Sequence, residues 1–255
     1  MALELVTIPC RTDNYAYLLH DVASGQTALI DAPEAAPILA ELAARAWTLH
    51  DILLTHHHGD HIDAVPDLVA ATGARVTGAT ADAHRLPPLN RSVIEGDTLA
   101  IGPETAHVIA VPGHTIGHIA FYLPDSGYAF TADSLMAGGC GRLFEGSPAQ
   151  MFASLTKLAA LPPETLICSG HEYTAANLRF AATLDPDNVA LQARIARVIK
   201  ARSENRPTVP SRLSGELATN PYLRADTKAL RAALRMPVAS PAEVFAEIRA
   251  RKDRF

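Results

Sequence analysis

The first half of the chain alternates short apolar runs with turn residues. Residues 3–8, 15–20 and 27–30 are rich in leucine, β-branched and aromatic side chains, and Asp13-Asn14 and Ser24-Gly25 separate them. Runs of that length bounded by turn residues predict strands. Residues 35–46 change to an Ala/Leu texture, with Pro33 and Pro37 near the start, and predict a helix. Residues 51–55 form a short apolar run that stops at His56. Residues 65–71 read as a helix ending at Gly73. Further strands are expected at 75–77, 107–111, 119–123, 128–131 and 165–168, with a helix at 148–160. After His171 the texture becomes helical throughout. Residues 175–182, 189–202, 226–234 and 241–251 are rich in Ala, Leu, Arg and Glu, and a Pro-containing linker at 206–224 separates the pairs. The pattern predicts an α/β domain over residues 1–172 and an all-helical domain over 173–255.

Composition narrows the class. The 255 residues are 48% apolar, enough for a substantial core in one large domain or in a large and a smaller one. A net charge of -5 argues against a nucleic-acid binder, which would carry a strong positive balance. The basic residues that do cluster, Arg249, Arg251, Lys252 and Arg254, suit a small anionic ligand. The cysteines Cys10, Cys140 and Cys168 form no CxxC pair, so a disulfide framework is not expected and a reducing compartment is. There is neither a signal-like N-terminus nor an apolar window long enough to span a bilayer. The expectation is a cytoplasmic monomer with no membrane partner.

The chemistry concentrates in Thr55-His56-His57-His58-Gly59-Asp60-His61, an HxHxDH pattern just after an apolar run. Alternating histidines there can converge on one point, and Asp60 and His61 add an oxygen and a nitrogen. Chance would produce this pattern on the order of once in a thousand such chains. Imidazole with carboxylate suits zinc first, and also iron or manganese. His114 follows a Pro-Gly turn, Asp133 sits in Phe130-Thr-Ala-Asp-Ser, and His171 follows Cys168-Ser-Gly. Each alone reads more simply as a turn or cap residue. Together with His56, His58, Asp60 and His61 they make seven ligands, enough for two divalent ions with one shared carboxylate. His57 lies between two ligands and is expected to point away. His118 is read as a core residue, with support of a ligand as the alternative, and His20, His50, His84 and His107 as surface or structural. No GxSxG, GxxxxGK[ST] or GxGxxG motif offers a rival chemistry.

These motifs resemble the metallo-β-lactamase superfamily, and within it the hydroxyacylglutathione hydrolases. Ile8–Leu18, Gly138–Gly146, Asn220–Arg224 and the closing basic segment Arg249–Phe255 resemble signatures of that family and span the whole chain. The resemblance implies an αββα sandwich with a helical C-terminal domain. It implies one ion on His56, His58 and His114, a second on Asp60, His61 and His171, and Asp133 between them, with Asp60 and Asp133 holding an attacking hydroxide. It implies Arg142, Phe144, Tyr173, Arg249 and Lys252 as substrate-binding residues, the last two gripping glutathione. Their spacing of three places both on one helical face, although a solvated helix end would look the same. Two departures stand out. Phe144 occupies a position where some members carry Tyr, and Ile62-Asp63-Ala64 follows His61 where many members have glycines. The implied reaction is hydrolysis of a glutathione thioester such as S-lactoylglutathione to glutathione and a 2-hydroxy acid, the second step of methylglyoxal detoxification. The alternatives are another enzyme of the same superfamily (a lactonase, β-lactamase or persulfide dioxygenase) or a non-catalytic metal-binding protein.

Overall fold

The structure is a computed structural model and describes residues 3–255. The chain forms two compact units. One comprises the chain up to Ala110 together with Thr115–Thr131, the other Val111–His114 together with Ala132–Phe255.

The first unit is built on two sheets. β1 (Glu4–Cys10), β2 (Asn14–His20), β3 (Thr27–Ile30), β4 (Asp51–Leu53), β5 (Arg75–Ala79) and β6 (Arg91–Val93) lie in sequence order in one sheet. The first three pair antiparallel and the last four parallel. Parallel neighbours require crossovers, and α1 (Ala35–Arg45) and α3 (Val65–Thr72) supply two of them. Ile38 and Leu42 of α1 and Leu68 of α3 pack with Leu18, Leu29, Ile52 and Val76 of the sheet. Each such side chain, fully buried, contributes roughly 1.5–3 kcal/mol. The second sheet is the antiparallel meander β7 (Thr98–Ile101), β8 (Glu104–Ala110), β9 (Ile119–Leu123) and β10 (Tyr128–Ala132). β2 is buried along its whole length, so both of its faces are covered. Leu18 faces the helices, while Tyr17 meets Phe130 of the second sheet edge-on at 5.5 Å. This is the expected two-sheet packing. α2 (Gly59–Ile62) is a single turn between β4 and α3.

The second unit contains the hairpin β11 (Leu135–Met136) and β12 (Gly139–Cys140), α4 (Pro148–Ala159) and β13 (Leu166–Ser169), followed by α5 (Thr174–Leu184) and α6 (Val189–Ser203). After these come β14 (Ser211–Arg212), α7 (Leu213–Thr219), α8 (Lys228–Ala233) and α9 (Pro241–Asp253). The long elements fall where the pattern placed them, within a few residues. The expected linker at 206–224 is a correction: it holds β14, α7 and the 3-10 turn Pro221–Leu223. Tertiary pairing builds them. β14 pairs antiparallel with β13. Glu216 of α7, fully buried, accepts from Gly138 N at 2.8 Å, Ser211 Oγ at 2.6 Å and the Arg194 guanidinium. Apart from the two-residue β14, the regular elements of residues 173–255 are helices joined by loops.

Candidate metal centre

The ligand candidates sit where strands end, which is where a rigid sheet hands over to an adjustable loop. His56 and His58 follow β4, Asp60 and His61 lie in α2, Asp133 directly follows β10, and His171 comes two residues after β13. His114 follows β8 through Val111-Pro112-Gly113. Gly113 has φ +152°, and a side chain there would place a Cβ 2.7 Å from that of Met151.

In the first unit the imidazoles are anchored by one ring nitrogen. Asp31, 3% exposed, accepts from Thr55 N and Thr55 Oγ1, both at 2.8 Å, and lies 2.8 Å from His61 Nδ1. A carboxylate only accepts, so His61 carries its proton on Nδ1 and presents Nε2 as a lone pair. Thr55 Oγ1 already donates to Asp31, so at 3.0 Å it accepts from His56 Nδ1. His56 Nε2 is thereby also the nitrogen that carries the lone pair. Asp31, His56 and His61 offer three donor atoms within 4.8 Å of one another. The short 2.8 Å contact assigns Asp31 to orienting His61, the carboxylate–histidine arrangement common behind metal ligands. Asp31 has φ +57°, a left-handed conformation that Asp tolerates better than most residues. Asp60 Oδ2 lies 3.8 Å from His61 Nε2. Asn14 Nδ2 donates at 3.0 Å to both the Asp60 carbonyl and its Oδ2, which fixes the carboxylate.

His57 turns to Asp82, Nδ1 to Oδ2 3.0 Å. His118, fully buried, stacks flat on His56 at 4.7 Å and 9°, so it lines the ligand cluster as well as the core. His20 stacks on Trp47, and His50 Nδ1 accepts from Thr27 N; both are structural.

In the second unit His114 Nε2 and His171 Nε2 lie 3.4 and 3.3 Å from the same oxygen, Asp133 Oδ2. His114 Nδ1 is 2.8 Å from the Arg142 carbonyl, which can only accept, so Nδ1 carries the proton and Nε2 the lone pair. Gly141 packs directly beneath: a Cβ there would lie 2.0 Å from the Asp133 carbonyl oxygen and 3.0 Å from His114 Nδ1. Two imidazole nitrogens aimed at one carboxylate oxygen suit a carboxylate shared by two cations. The N/O donor set fits hard or borderline divalent ions.

The expected substrate residues divide by environment. Phe144 meets His114 edge-on at 5.3 Å, and Tyr173 stacks on His171 at 4.7 Å and 9°. Both rings are partly exposed beside ligand candidates. Arg142 is exposed. Arg249 is buried instead of lying on a solvated helix end. Its Nη1 donates to the Cys140 carbonyl at 3.0 Å, and Nε and Nη2 donate to Asp253 Oδ1 at 3.1 and 2.8 Å. Lys252 is half-buried. Burial, then the positive charges of Arg249, Arg179 and Arg142, lower its pKa from the usual lysine value. Arg179 of α5 is a member of this basic group that the sequence pattern did not single out, and so are Asp31 and Asn14 in the ligand cluster. Asn14 lies within the Ile8–Leu18 signature but reads there only as a turn residue, whereas Arg179 and Asp31 sit in no motif; the fold brings all three in. The cysteines are free and buried, and burial raises the thiols of Cys10 and Cys140 to about 12 and about 11.

The two-sheet sandwich with these histidine and aspartate clusters defines the metallo-β-lactamase fold, and residues 12–171 match the family described as Metallo-beta-lactamase superfamily. Residues 172–255 match Hydroxyacylglutathione hydrolase C-terminus. The chain is 66% identical to a hydroxyacylglutathione hydrolase of Fuscovulum blasticum, with 100% of both chains covered. It belongs to the hydroxyacylglutathione hydrolase family. Among solved structures it superposes on ETHE1 from Myxococcus xanthus with TM-score 0.69 at 27% identity, covering 98% of this chain and 90% of the other. TTHA1623 in a di-iron-bound form gives TM-score 0.58 at 32% identity, covering 66% and 91%. Among the described residues no helix is long and apolar enough to cross a membrane.

Proposed function

We propose that the chain hydrolyses the thioester of S-(2-hydroxyacyl)glutathione, such as S-lactoylglutathione, to glutathione and a 2-hydroxy acid, and does so with two divalent metal ions. The observation that carries this is Asp133 Oδ2 facing two imidazole nitrogens at 3.4 and 3.3 Å, in a chain of this family. His56, His58 and His114 would hold one ion and Asp60, His61 and His171 the other, with Asp133 shared between them. Zinc is the first candidate, with iron or manganese accepted by the same donors. When bound, the ions lower the pKa of a water toward neutrality and polarise the thioester carbonyl. Asp60, held by Asn14, orients the attacking water. Phe144 and Tyr173, packed on His114 and His171, flank the acyl group. Glutathione leaves as a thiolate, and a thiol pKa of roughly 8.5 makes a dedicated general acid unnecessary.

Residues 1–172 act as the catalytic domain and 173–255 as the glutathione-binding domain. Arg142, Arg249 and Lys252 provide cationic charge for the two carboxylates of glutathione. Lys252 contacts it through its ammonium, and Arg249, whose donors are largely engaged within the fold, acts mainly through its charge. The seven proposed ligands come from one chain, so the site needs no partner subunit, and the proposed state is a monomer in the cytoplasm. The test is the kinetics of Arg249→Ala and Lys252→Ala on S-lactoylglutathione. Both are expected to raise KM with kcat little changed. Unchanged KM in both would remove the glutathione grip while leaving the metal chemistry standing.

A further inference from the structure

Lys252 of α9 is held against two aromatic rings. Its Nζ lies 5.3 Å from the ring centroid of Phe180 and 5.1 Å from that of Phe255. The rings meet each other edge-on at 5.4 Å and 62°. Both distances fall inside the roughly 6 Å over which a ring face attracts a cation. The ammonium donates one hydrogen bond, to the Ala176 carbonyl of α5 at 3.3 Å, and makes no ion pair with a carboxylate among the described residues. Backbone and rings thus restrain the head group while N–H donors remain for a ligand. A surface lysine is ordinarily rotamer-rich, and ordering it on binding opposes affinity. Here much of that order exists before any ligand arrives. Like charges on Arg142, Arg179 and Arg249 disfavour an ammonium at this place, and the ring faces counter them.

We propose that Phe180 and Phe255 form an aromatic clip that preorganises the Lys252 ammonium for a substrate carboxylate, which makes Phe255 a positioning residue for binding. The proposal rests on the assignment of Lys252 to the glutathione moiety. Phe180 is buried and serves the packing of α5, whereas Phe255 is 63% exposed, so its ring can be changed without opening the core.

The experiment is a double-mutant cycle read as KM and kcat on S-lactoylglutathione, with Lys252 side-chain NMR in parallel. Phe255→Ala and Phe255→Leu are expected to raise KM about two- to fivefold with kcat within about twofold, the size of an exposed cation–π contact. Phe255→Trp should restore the wild-type KM. In a Lys252→Ala background, Phe255→Ala should change nothing further. The ring-current shift of the Lys252 ε-methylene should be present in the wild type and reduced in Phe255→Leu. A KM rise of equal size with and without Lys252 would overturn the clip, and so would full retention of KM in Phe255→Ala while Lys252→Ala raises it. If Lys252→Ala leaves KM unchanged, the glutathione assignment fails instead. The NMR shift then decides the clip alone, and no difference between wild type and Phe255→Leu would sink it.

Discussion

At the scale of single residues, much of the ligand cluster's order comes from groups that touch no metal candidate as ligands. Asp31 fixes the tautomer of His61 and, through Thr55, that of His56. Replacing its carboxylate by an amide weakens the acceptor that orients His61, and supports of this kind typically matter 10–100-fold to metal affinity or activity. Asp31→Asn is therefore expected to weaken metal retention by roughly that factor, read as metal content against chelator concentration, with all seven proposed ligands still present. Retention equal to wild type would show that His61 needs no such partner. Lys252 gives a pH dependence. Its pKa is lowered, so the ammonium is present below that lowered value and is lost as pH rises through it. KM should climb on the alkaline side at a lower pH than an ordinary lysine, titrating near roughly 10.4, would give. Lys252→Arg keeps its charge and should remove that limb. An identical profile in both enzymes would place the titration elsewhere.

At the scale of elements, the family-like motifs separate into chemistry and bracing. Asn220 opens the segment Asn220–Arg224, and its Nδ2 donates to the Met136 and Gly139 carbonyls at 3.2 and 2.9 Å, tying that segment to the β11–β12 hairpin. Arg224 pairs with Asp185, and Tyr222 is buried under the Arg249 guanidinium. Glu216 joins the same hairpin to α6 and α7. Removing one partner of a buried pair leaves the other charge without compensation, so Glu216→Ala should cost about 3–5 kcal/mol in chemical denaturation. A loss of under about 1 kcal/mol would mean that solvent reaches Arg194 and relieves it. The apolar pattern made the long elements legible: β3 and β9 fall where it placed them, and α4, α6 and α9 within two residues. It missed β6, β7, β11, β12, β14 and α7, pieces of two to seven residues too short to carry a periodic signal; β7 and the β11–β12 hairpin pair with neighbours close in sequence, whereas β14 owes its form to β13, far along the chain. The sequence pattern showed Arg249 as a basic residue on a helix face; its burial against Cys140 and Asp253 depends on packing that no local pattern encodes.

At the scale of the whole molecule, the histidine motif and three isolated strand-end residues point to one chemistry in the sequence alone, and the family match covers both halves of the chain. The motif carried its own warrant because its spacing is rare. His114, Asp133 and His171, weak singly, gained theirs by completing a seven-ligand count and then from the resemblance, and in the structure both imidazoles face one oxygen of Asp133. The buried, raised thiols leave no cysteine suited to act as a nucleophile, so activity should survive thiol-blocking reagents that would silence a cysteine hydrolase. Loss of activity in step with cysteine labelling would contradict this. The central claim is thioester hydrolysis that depends on two bound metal ions. It is tested most directly by following the thioester absorbance of S-lactoylglutathione with purified protein of measured metal content, before and after chelation. The account predicts rapid hydrolysis that chelation abolishes and added divalent metal restores; protein carrying two ions per chain that leaves the thioester intact would contradict it.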